Sequence, residues 1–270
     1  MAGQEYREEG GLTGVHFLNN GREGTVMDSR FIHPFTSLIV GPSMSGKSTF
    51  LKKLLENSHQ LISEPFTEVR FLLGTSLNQN HVFQSLFDEQ DKLPFRLSAL
   101  NVRESYGTEL HKTTFSEDLT QVCETSNQKG EKLCLIFDDL MTELNGSPII
   151  GDLFSKLSSH TNTSVFFVTQ NLFHKGKKNG DALTVYRNTK YLILFDSALD
   201  QNTFSIIASR IGVDSKFLKE IARLYRYVII RGGHDVPEDM KFISNIFNTI
   251  KVGDIVVPLQ NCFVPLKKKK

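Results

Sequence analysis

The fold is decided by one stretch of the chain, Ser37-Leu-Ile-Val-Gly41-Pro-Ser-Met-Ser-Gly46-Lys47-Ser48-Thr49. Residues 41–48 match the pattern G-x-x-x-x-G-K-[ST], and they lie between an apolar strand pattern and an amphipathic helix pattern. In such a loop, glycines let backbone N–H groups turn toward phosphate oxygens, and the positive end of the following helix faces the same anion. The stretch therefore predicts a phosphate-binding loop (P-loop) and a protein that binds ATP with Mg²⁺.

The side chains of this loop indicate particular contacts with the nucleotide. We expect Lys47 to reach the β- and γ-phosphates and to act in catalysis, and we expect the Ser48 hydroxyl to be a Mg²⁺ ligand. An ordinary Gly-Ser turn is the alternative, and the flanking strand and helix patterns disfavour it. The predicted nucleotide contacts are Gly41, Pro42, Ser43, Met44, Ser45, Gly46, Lys47, Ser48 and Thr49.

A second apolar strand pattern, Leu133–Phe137, is followed by two adjacent acids, Asp138 and Asp139. In P-loop ATPases the first such acid holds Mg²⁺, usually through water, so we assign Asp138 to the metal. In the branch of the class with an additional strand, the second acid polarises the attacking water, so we assign Asp139 to catalysis. Glutamate is the commoner residue in that role, and a solvated acidic turn is the alternative for both acids.

A third apolar strand pattern, Val165–Thr169, is followed by Gln170 and Asn171. In ATPases with an additional strand, this strand lies between the two phosphate-binding strands, and its polar end points at the γ-phosphate and the attacking water. Gln170 is therefore predicted to sense the γ-phosphate and to act in catalysis. A polar strand end that is capped by amides is the alternative.

Four stretches together carry a resemblance to a known family: GPSMSGKST (41–49), LIFDDLM (135–141), LFSKLSSHTNTSVFFVTQNLFHKGKK (153–178) and NTKYLILFDSALDQ (188–201). Over roughly Phe31 to Ile211, the chain resembles the genome-packaging ATPases of double-stranded DNA viruses and Polinton-like elements. These are the poxvirus- and virophage-type relatives within the FtsK–HerA superfamily. The second half of the third stretch and the fourth stretch are more specific than the P-loop.

The resemblance implies an ASCE, RecA-like P-loop NTPase with an extra strand between the P-loop strand and the acidic strand. It implies an ATP-driven motor that translocates viral double-stranded DNA into a capsid. The implied partners are double-stranded DNA, a viral capsid protein and further copies of the chain in a ring. The implied location is inside the host cell, in a virus factory or the nucleus, and association with the virion is left open.

A ring of this type also needs an arginine that acts on the nucleotide of a neighbouring subunit. Members of the family carry an arginine a few residues before the asparagine that matches Asn188. Here Arg187 is directly adjacent to that asparagine. Arg187 and Arg210 are both candidates for the role, and an ordinary surface arginine is the alternative for each.

The composition excludes several other classes of protein. The chain has 270 residues with 31 Lys and Arg against 30 Asp and Glu, so a formal net charge of +1 gives no overall attraction to nucleic acid or membrane. The three cysteines are odd in number and well separated, which indicates a reducing compartment and no disulfide framework. The N-terminus is polar, and no apolar run approaches the roughly 20 residues that span a bilayer, so we expect no membrane partner.

The body of the chain alternates short apolar runs with helical patterns, which predicts an α/β fold with a central, mainly parallel sheet flanked by helices. We expect residues 1–30 to form a flexible N-terminal arm, residues 31–225 the ATPase core, and residues 226–270 a C-terminal strand extension and basic tail. The predicted strands are Thr36–Val40, Val69–Gly74, Leu133–Phe137, Val165–Thr169, Tyr191–Phe195 and Tyr225–Arg231. The predicted helices are Lys47–Glu56, His81–Asp88, Ser116–Ser126, Ile149–Ser159, Asp200–Ile211 and Ser215–Leu224.

Two basic segments are candidates for contact with DNA. Lys175–Gly180 is cationic and glycine-rich, which suits phosphate contacts that do not depend on sequence. Lys267–Lys270 would add phosphate contacts or dock on an acidic capsid surface. A solvated loop and a disordered tail, respectively, are the alternatives.

Three other functions are compatible with a P-loop. A cellular translocase or helicase of the same fold would carry extra domains, and none is visible in the sequence. A small-molecule kinase usually lacks a polar residue such as Gln170 on an inserted strand and carries an arginine-rich lid. An interaction protein with a degenerate nucleotide site is disfavoured because Lys47, Ser48 and Asp138 are intact.

Overall fold

The computed structural model describes residues 8–12, 30–107, 112–140, 144, 148–170, 185–197, 201–233, 236–252 and 255–265. The strands are β1 (Glu8–Leu12), β2 (Thr36–Val40), β3 (Glu68–Leu73), β4 (Arg96–Asn101), β5 (Leu133–Asp138), β6 (Thr163–Thr169), β7 (Tyr191–Phe195), β8 (Tyr227–Arg231), β9 (Phe242–Val252) and β10 (Ile255–Phe263). The helices are α1 (Lys47–Glu56), α2 (Ser58–Leu61), α3 (His81–Asp88), α4 (Val102–Tyr106), α5 (Lys112–Gln128), α6 (Pro148–Asp152), α7 (Ser158–His160), α8 (Gln201–Ile211) and α9 (Ser215–Tyr225). A π-helical turn, Leu153–Leu157, joins α6 to α7.

All ten described strands belong to one sheet, in the order β1-β10-β9-β8-β7-β2-β6-β5-β3-β4. The six strands from β7 to β4 in this order are parallel to one another. The other four extend the sheet from β7 by antiparallel pairing. Because β6 lies between β2 and β5, the extra strand that the resemblance implied is present, and the predicted fold class is confirmed.

The sheet is covered by helices on both faces, and its central strands are therefore buried on both sides. Alternate residues of β2 point to opposite faces, so Leu38 and Val40 join one core while Ile39 joins the other. The apolar residues of α1 and α3 pack on the Ile39 face, and those of α5, α6, α8 and α9 pack on the opposite face. Burial on both faces explains the continuous apolar runs of the parallel strands.

The predicted strands and helices agree with the structure in kind and differ at some ends. Thr36–Val40, Tyr191–Phe195, Lys47–Glu56 and His81–Asp88 have the predicted bounds. The strand predicted from Tyr225 begins at Tyr227, because Arg226 takes a left-handed conformation (φ 74°) that ends α9. Four further strands, β1, β4, β9 and β10, were not predicted from the sequence.

Parallel strands bring their carboxyl ends to one edge of the sheet, and this edge holds the candidate site. Val40 of β2 is paired with Thr169 of β6, and Val168 of β6 is paired with Asp138 of β5. The residues that follow these strand ends are therefore neighbours. Among the described residues, no helix is both long and apolar enough to cross a bilayer.

Candidate nucleotide-binding site

The P-loop leaves the end of β2 and turns directly into α1. Gly46 adopts φ 103°, a conformation that L side chains rarely take, and its carbonyl accepts the first helical hydrogen bond from Phe50 N–H at 2.8 Å. Gly41 N–H donates to Thr169 O at 3.3 Å, which fixes the start of the loop to β6. The Ser45 hydroxyl oxygen is buried and has no hydrogen-bond partner among the described residues, so it is available to a phosphate oxygen.

An aromatic cluster packs against the P-loop on the side of the sheet that carries α1. Phe195, at the end of β7, lies so close to Gly41 that a Cβ on this glycine would be 2.6 Å from the Phe195 Cβ. Phe50 of α1 packs edge-on against Phe195, Tyr227 and Phe247, with ring centroids 4.9–5.8 Å apart. The loop therefore has a rigid base, which is built from α1 and three neighbouring strands, β7, β8 and β9.

Lys47 lies in the first turn of α1, and its ammonium group is held over the loop. The Lys47 Nζ donates hydrogen bonds to the carbonyl oxygens of Gly41 and Pro42, each at 2.8 Å. Burial lowers the pKa of Lys47 from its ordinary value, and the nearby Asp138 and Asp139 carboxylates act in the opposite direction. A poorly hydrated cation beside the loop is well placed to pair with phosphate oxygens.

The two predicted acids lie at the end of β5, and their environments differ. Asp138 is half-buried. Desolvation is the larger cause and repulsion from Asp139 the smaller one, and together they raise the pKa of Asp138 to about 6, while attraction to Lys47 lowers it. Asp139 is exposed and adopts a left-handed conformation (φ 55°), which turns the chain away from the strand. The Asp139 carbonyl oxygen lies beside Gly74, and a Cβ on Gly74 would be 2.3 Å from this oxygen. Only glycine fits at the end of β3 beside this turn.

One residue at this site, Asn80, was missed by the sequence analysis. Its amide nitrogen donates to Ser48 Oγ at 3.4 Å and to Asp138 Oδ2 at 3.5 Å. Its side-chain oxygen accepts from Phe83 N–H at 3.2 Å and thereby caps α3. In the sequence, an asparagine before an apolar run signals only a helix start, so nothing there connects it with the P-loop.

Ser48 and Asp138 have the donor chemistry that Mg²⁺ requires. Both present hard oxygen ligands, and both lie within hydrogen-bond range of one amide nitrogen, so the two oxygens are close together. Asp138 also remains close enough to Lys47 and Asp139 to interact with them electrostatically. These residues fit a Mg²⁺ that is held by the Ser48 hydroxyl and, through water, by the Asp138 carboxylate.

Gln170 is the first residue after β6, and its side chain is exposed at the edge that holds the P-loop. Thr169, directly before it, is buried and bonds to Gly41 through its carbonyl. Gln170 is distant from the P-loop in the sequence, and the pairing of β6 with β2 brings it next to the start of the loop, as the predicted strand order requires.

The two candidate arginines lie away from this edge. Residues 188–190 flank the first residue of β2, since Thr36 Oγ donates to Asn188 O at 2.5 Å and Lys190 N–H donates to Thr36 O at 3.0 Å. The P-loop begins at the other end of this five-residue strand, about 17 Å away at roughly 3.3 Å per residue. Arg187 is exposed there, and the Arg210 guanidinium lies 5.0 Å above the ring of Tyr186.

Several predicted segments lie outside the described residues. These are Asn171, the basic loop Lys175–Gly180, the tail Lys267–Lys270, and the N-terminal arm apart from β1 and Arg30. The described part of the arm, β1, pairs with β10 at one end of the sheet.

The Asp138 environment predicts a gain in stability when its charge is removed. Replacing Asp138 with asparagine should raise the free energy of unfolding at pH 8 by about 1–3 kcal/mol, because a carboxylate whose pKa is raised to about 6 destabilises the folded chain while it is charged. The gain should shrink as the pH falls through 6 and should vanish below the ordinary value of 3.8, where both folded and unfolded wild-type chains are protonated.

Urea unfolding between pH 4 and pH 8, in EDTA and without nucleotide, measures this difference. The exposed Asp91→Asn variant is the matched control and should stay within about 0.5 kcal/mol of the wild type. A less stable Asp138→Asn protein at pH 8 would contradict the unfavourable burial of this charge.

Comparison with solved structures finds chains of similar fold at low sequence identity. The genome packaging NTPase B204 from Sulfolobus turreted icosahedral virus 2, in complex with ATP-gammaS, is 16% identical, with a TM-score of 0.46 over 76% of this chain and 93% of that one. The KaiC-like protein PH0186 from Pyrococcus horikoshii OT3 is 13% identical, with a TM-score of 0.45 over 94% and 99% of the two chains. The EssC ATPases 2 and 3 from Geobacillus thermodenitrificans are 13% identical, with a TM-score of 0.44 over 87% and 40%.

At TM-scores of this size, the likeness concerns the path of the chain and implies nothing about ligands or partners.

No curated protein sequence matches the chain. Residues 26–191 match the family model described as Poxvirus A32 protein, and this range is more than half of the 270 residues. The chain therefore belongs to the Poxvirus A32 protein family, the poxvirus type of packaging ATPase, whose P-loop, acidic strand and inserted strand it carries.

Proposed function

We propose that the chain is an ATP-driven motor that translocates viral double-stranded DNA into a capsid. The observation that carries the proposal is the convergence of the P-loop, the paired acids and Gln170 at one edge of three adjacent strands, β2, β6 and β5. This arrangement supports hydrolysis rather than mere binding, because it offers a phosphate clamp, a metal site and polar groups for water together. Membership of the family supports packaging as the use of that energy.

In the proposed reaction, Lys47 neutralises charge on the β- and γ-phosphates, and backbone N–H groups of residues 41–48 hold the phosphate chain. Asp139 orients and polarises the attacking water, and Gln170 binds the same water or the γ-phosphate. Ser48 and Asp138 would hold Mg²⁺, which would neutralise phosphate charge when bound. Ser43, Met44 and the other loop residues, Gly41 to Thr49, complete the proposed nucleotide contacts.

The position of Arg187 favours a ring. About 17 Å separates its neighbours from the start of the P-loop in the same chain, a distance beyond the length of an arginine side chain. A catalytic role for Arg187, or for Arg210 on the same side, therefore requires the nucleotide of a second copy. Contacts that join unlike surfaces of identical copies close into rings when the rotation permits.

We extend the proposal to the partners and the organisation of the chain. Residues 31–225 form the ATPase core, residues 226–270 a C-terminal strand extension and basic tail, and residues 1–30 a flexible N-terminal arm. Lys175–Gly180 contacts DNA phosphates, and Lys267–Lys270 contacts DNA or the capsid protein. The proposed site of action is the virus factory or nucleus of the host cell.

The proposal is tested by ATP hydrolysis with purified full-length protein, with and without double-stranded DNA and capsid protein. We expect DNA to raise turnover, and we expect the stimulation to fall steeply with salt because it depends on phosphate contacts. A rate of ATP hydrolysis that does not change when DNA is added, even with capsid protein present, would contradict the proposal of a DNA-translocating motor. Transfer of the phosphate to a small acceptor would indicate a kinase instead.

A further inference from the structure

Asn80 is held rigidly between the helix after β3 and the nucleotide site. The Asn80 side-chain oxygen accepts a hydrogen bond from Phe83 N–H, which gives the amide one orientation. The Asn80 backbone carbonyl accepts from Gln84 N–H at 2.8 Å. The helix it caps, α3, buries Phe83 and Leu86 in the core beside α1. Lys52 of α1 also donates to Ser85 of α3 at 2.8 Å, which ties the two helices together at the surface.

With its oxygen fixed, the amide nitrogen of Asn80 points at the site and faces two oxygens from different elements. Ser48 Oγ comes from the first turn of α1, and Asp138 Oδ2 comes from the end of β5. An –NH₂ group has two donors, so it can serve both oxygens at once. Among the described residues, Asn80 is thus a physical link between the P-loop helix and the acidic strand.

We propose that Asn80 is a positioning residue, which holds the Ser48 hydroxyl and the Asp138 carboxylate at the separation that suits Mg²⁺. The proposal deepens the proposed function and rests on it only in that the site binds ATP with Mg²⁺. Groups that orient metal ligands set metal affinity, and their loss typically costs about 10–100-fold. A group held by a helix cap and a packed helix satisfies the need for such support to be rigid.

Replacing Asn80 with serine separates this role from helix capping. Serine caps helices about as well as asparagine, so α3 should persist, while its short side chain carries no amide to link Ser48 and Asp138. Asn101 offers a matched control, because it caps α4 by accepting from Glu104 N–H at 3.3 Å and lies two strands away from Asp138. Asn101→Ser therefore makes the same chemical change at a similar cap.

The experiment titrates Mg²⁺ into the full-length protein with a fluorescent ATP analogue and follows analogue binding, with thermal unfolding measured in parallel. For Asn80→Ser we expect about a 10-fold rise in the Mg²⁺ concentration at half-maximal binding. Binding of the analogue in EDTA should stay within about 2-fold of the wild type, and the unfolding temperature within about 2 °C of Asn101→Ser. Asn80→Thr, a second capping variant, should behave in the same way.

Three results would overturn the proposal. If Asn80→Ser and Asn80→Thr keep the wild-type Mg²⁺ dependence, the link does not position the metal ligands. If both variants lose far more stability than Asn101→Ser, Asn80 acts through the fold. If the wild-type protein binds the analogue without any dependence on Mg²⁺, Asn80 has no metal ligands to position and its role fails, while the motor remains subject to the separate test of DNA-stimulated hydrolysis.

Discussion

Replacing Lys47 with alanine is expected to lower the rate of ATP hydrolysis by about 10²–10³-fold, the usual effect of removing one charge-stabilising donor from a transition state. The Lys47 ammonium is poorly hydrated and already lies at the mouth of the P-loop, where its carbonyl partners Gly41 and Pro42 hold it at 2.8 Å. Little reorganisation is needed to move it onto phosphate oxygens. Its loss should therefore affect the reaction far more than the fold.

The stability of the Lys47→Ala protein should stay within about 1 kcal/mol of the wild type. The variant loses two hydrogen bonds, but it also loses a cation whose burial is unfavourable, as its lowered pKa indicates. Steady-state phosphate release and urea unfolding of the same preparations measure the two effects. The Lys53→Ala variant is the control, since Lys53 is exposed on the next turn of the same helix.

A rate for Lys47→Ala within about 10-fold of the wild type would mean that this loop is not the site of hydrolysis. Loss of activity together with loss of the fold would be seen in the unfolding curve, and it would assign Lys47 a structural role. The exposed Lys53→Ala variant should match the wild type in both measurements.

The parts of the fold that the sequence predicted well are those buried on both sides. Thr36–Val40 and Tyr191–Phe195 are entirely buried, so every position must be apolar or small, and the pattern is plain. β4 was missed because it lies at the end of the described sheet and is largely exposed, with Arg96 and Ser98 among its residues. β9 was missed because asparagines interrupt its apolar run, and Asn245 takes a left-handed conformation within it.

Some residues of the site could be predicted from their neighbours in the sequence, whereas Asn80 depends on tertiary packing. The P-loop and Asp138 follow apolar strands directly, so their neighbours in sequence are also their neighbours in space. Asn80 is 58 residues from Asp138 and 32 from Ser48, and only the packing of α3 against α1 brings it to them. Its sequence signal is the helix cap, and the contacts of the same side chain with Ser48 and Asp138 leave no signal in the sequence.

Replacing Arg187 with alanine is expected to lower ATP hydrolysis by about 10³-fold or more, as the loss of an arginine acting from a neighbouring subunit does. Because the proposed site takes its P-loop from one copy and its arginine from another, two inactive variants should rescue each other. Mixed assemblies of Arg187→Ala and Lys47→Ala contain interfaces at which an intact P-loop meets an intact arginine. Turnover of the mixture should therefore clearly exceed that of either variant alone.

The same mixing experiment decides between the two arginines. If Arg210 acts on the neighbouring nucleotide, Arg210→Ala will be inactive alone and rescued by Lys47→Ala, while Arg187→Ala will keep most of its activity. If Arg210 only packs on Tyr186, its loss should lower stability by about 0.5–1 kcal/mol and leave turnover largely intact. Absence of rescue for both arginines, in mixtures shown to co-assemble, would contradict a shared site, since the distance along β2 leaves neither arginine a route to the P-loop of its own chain.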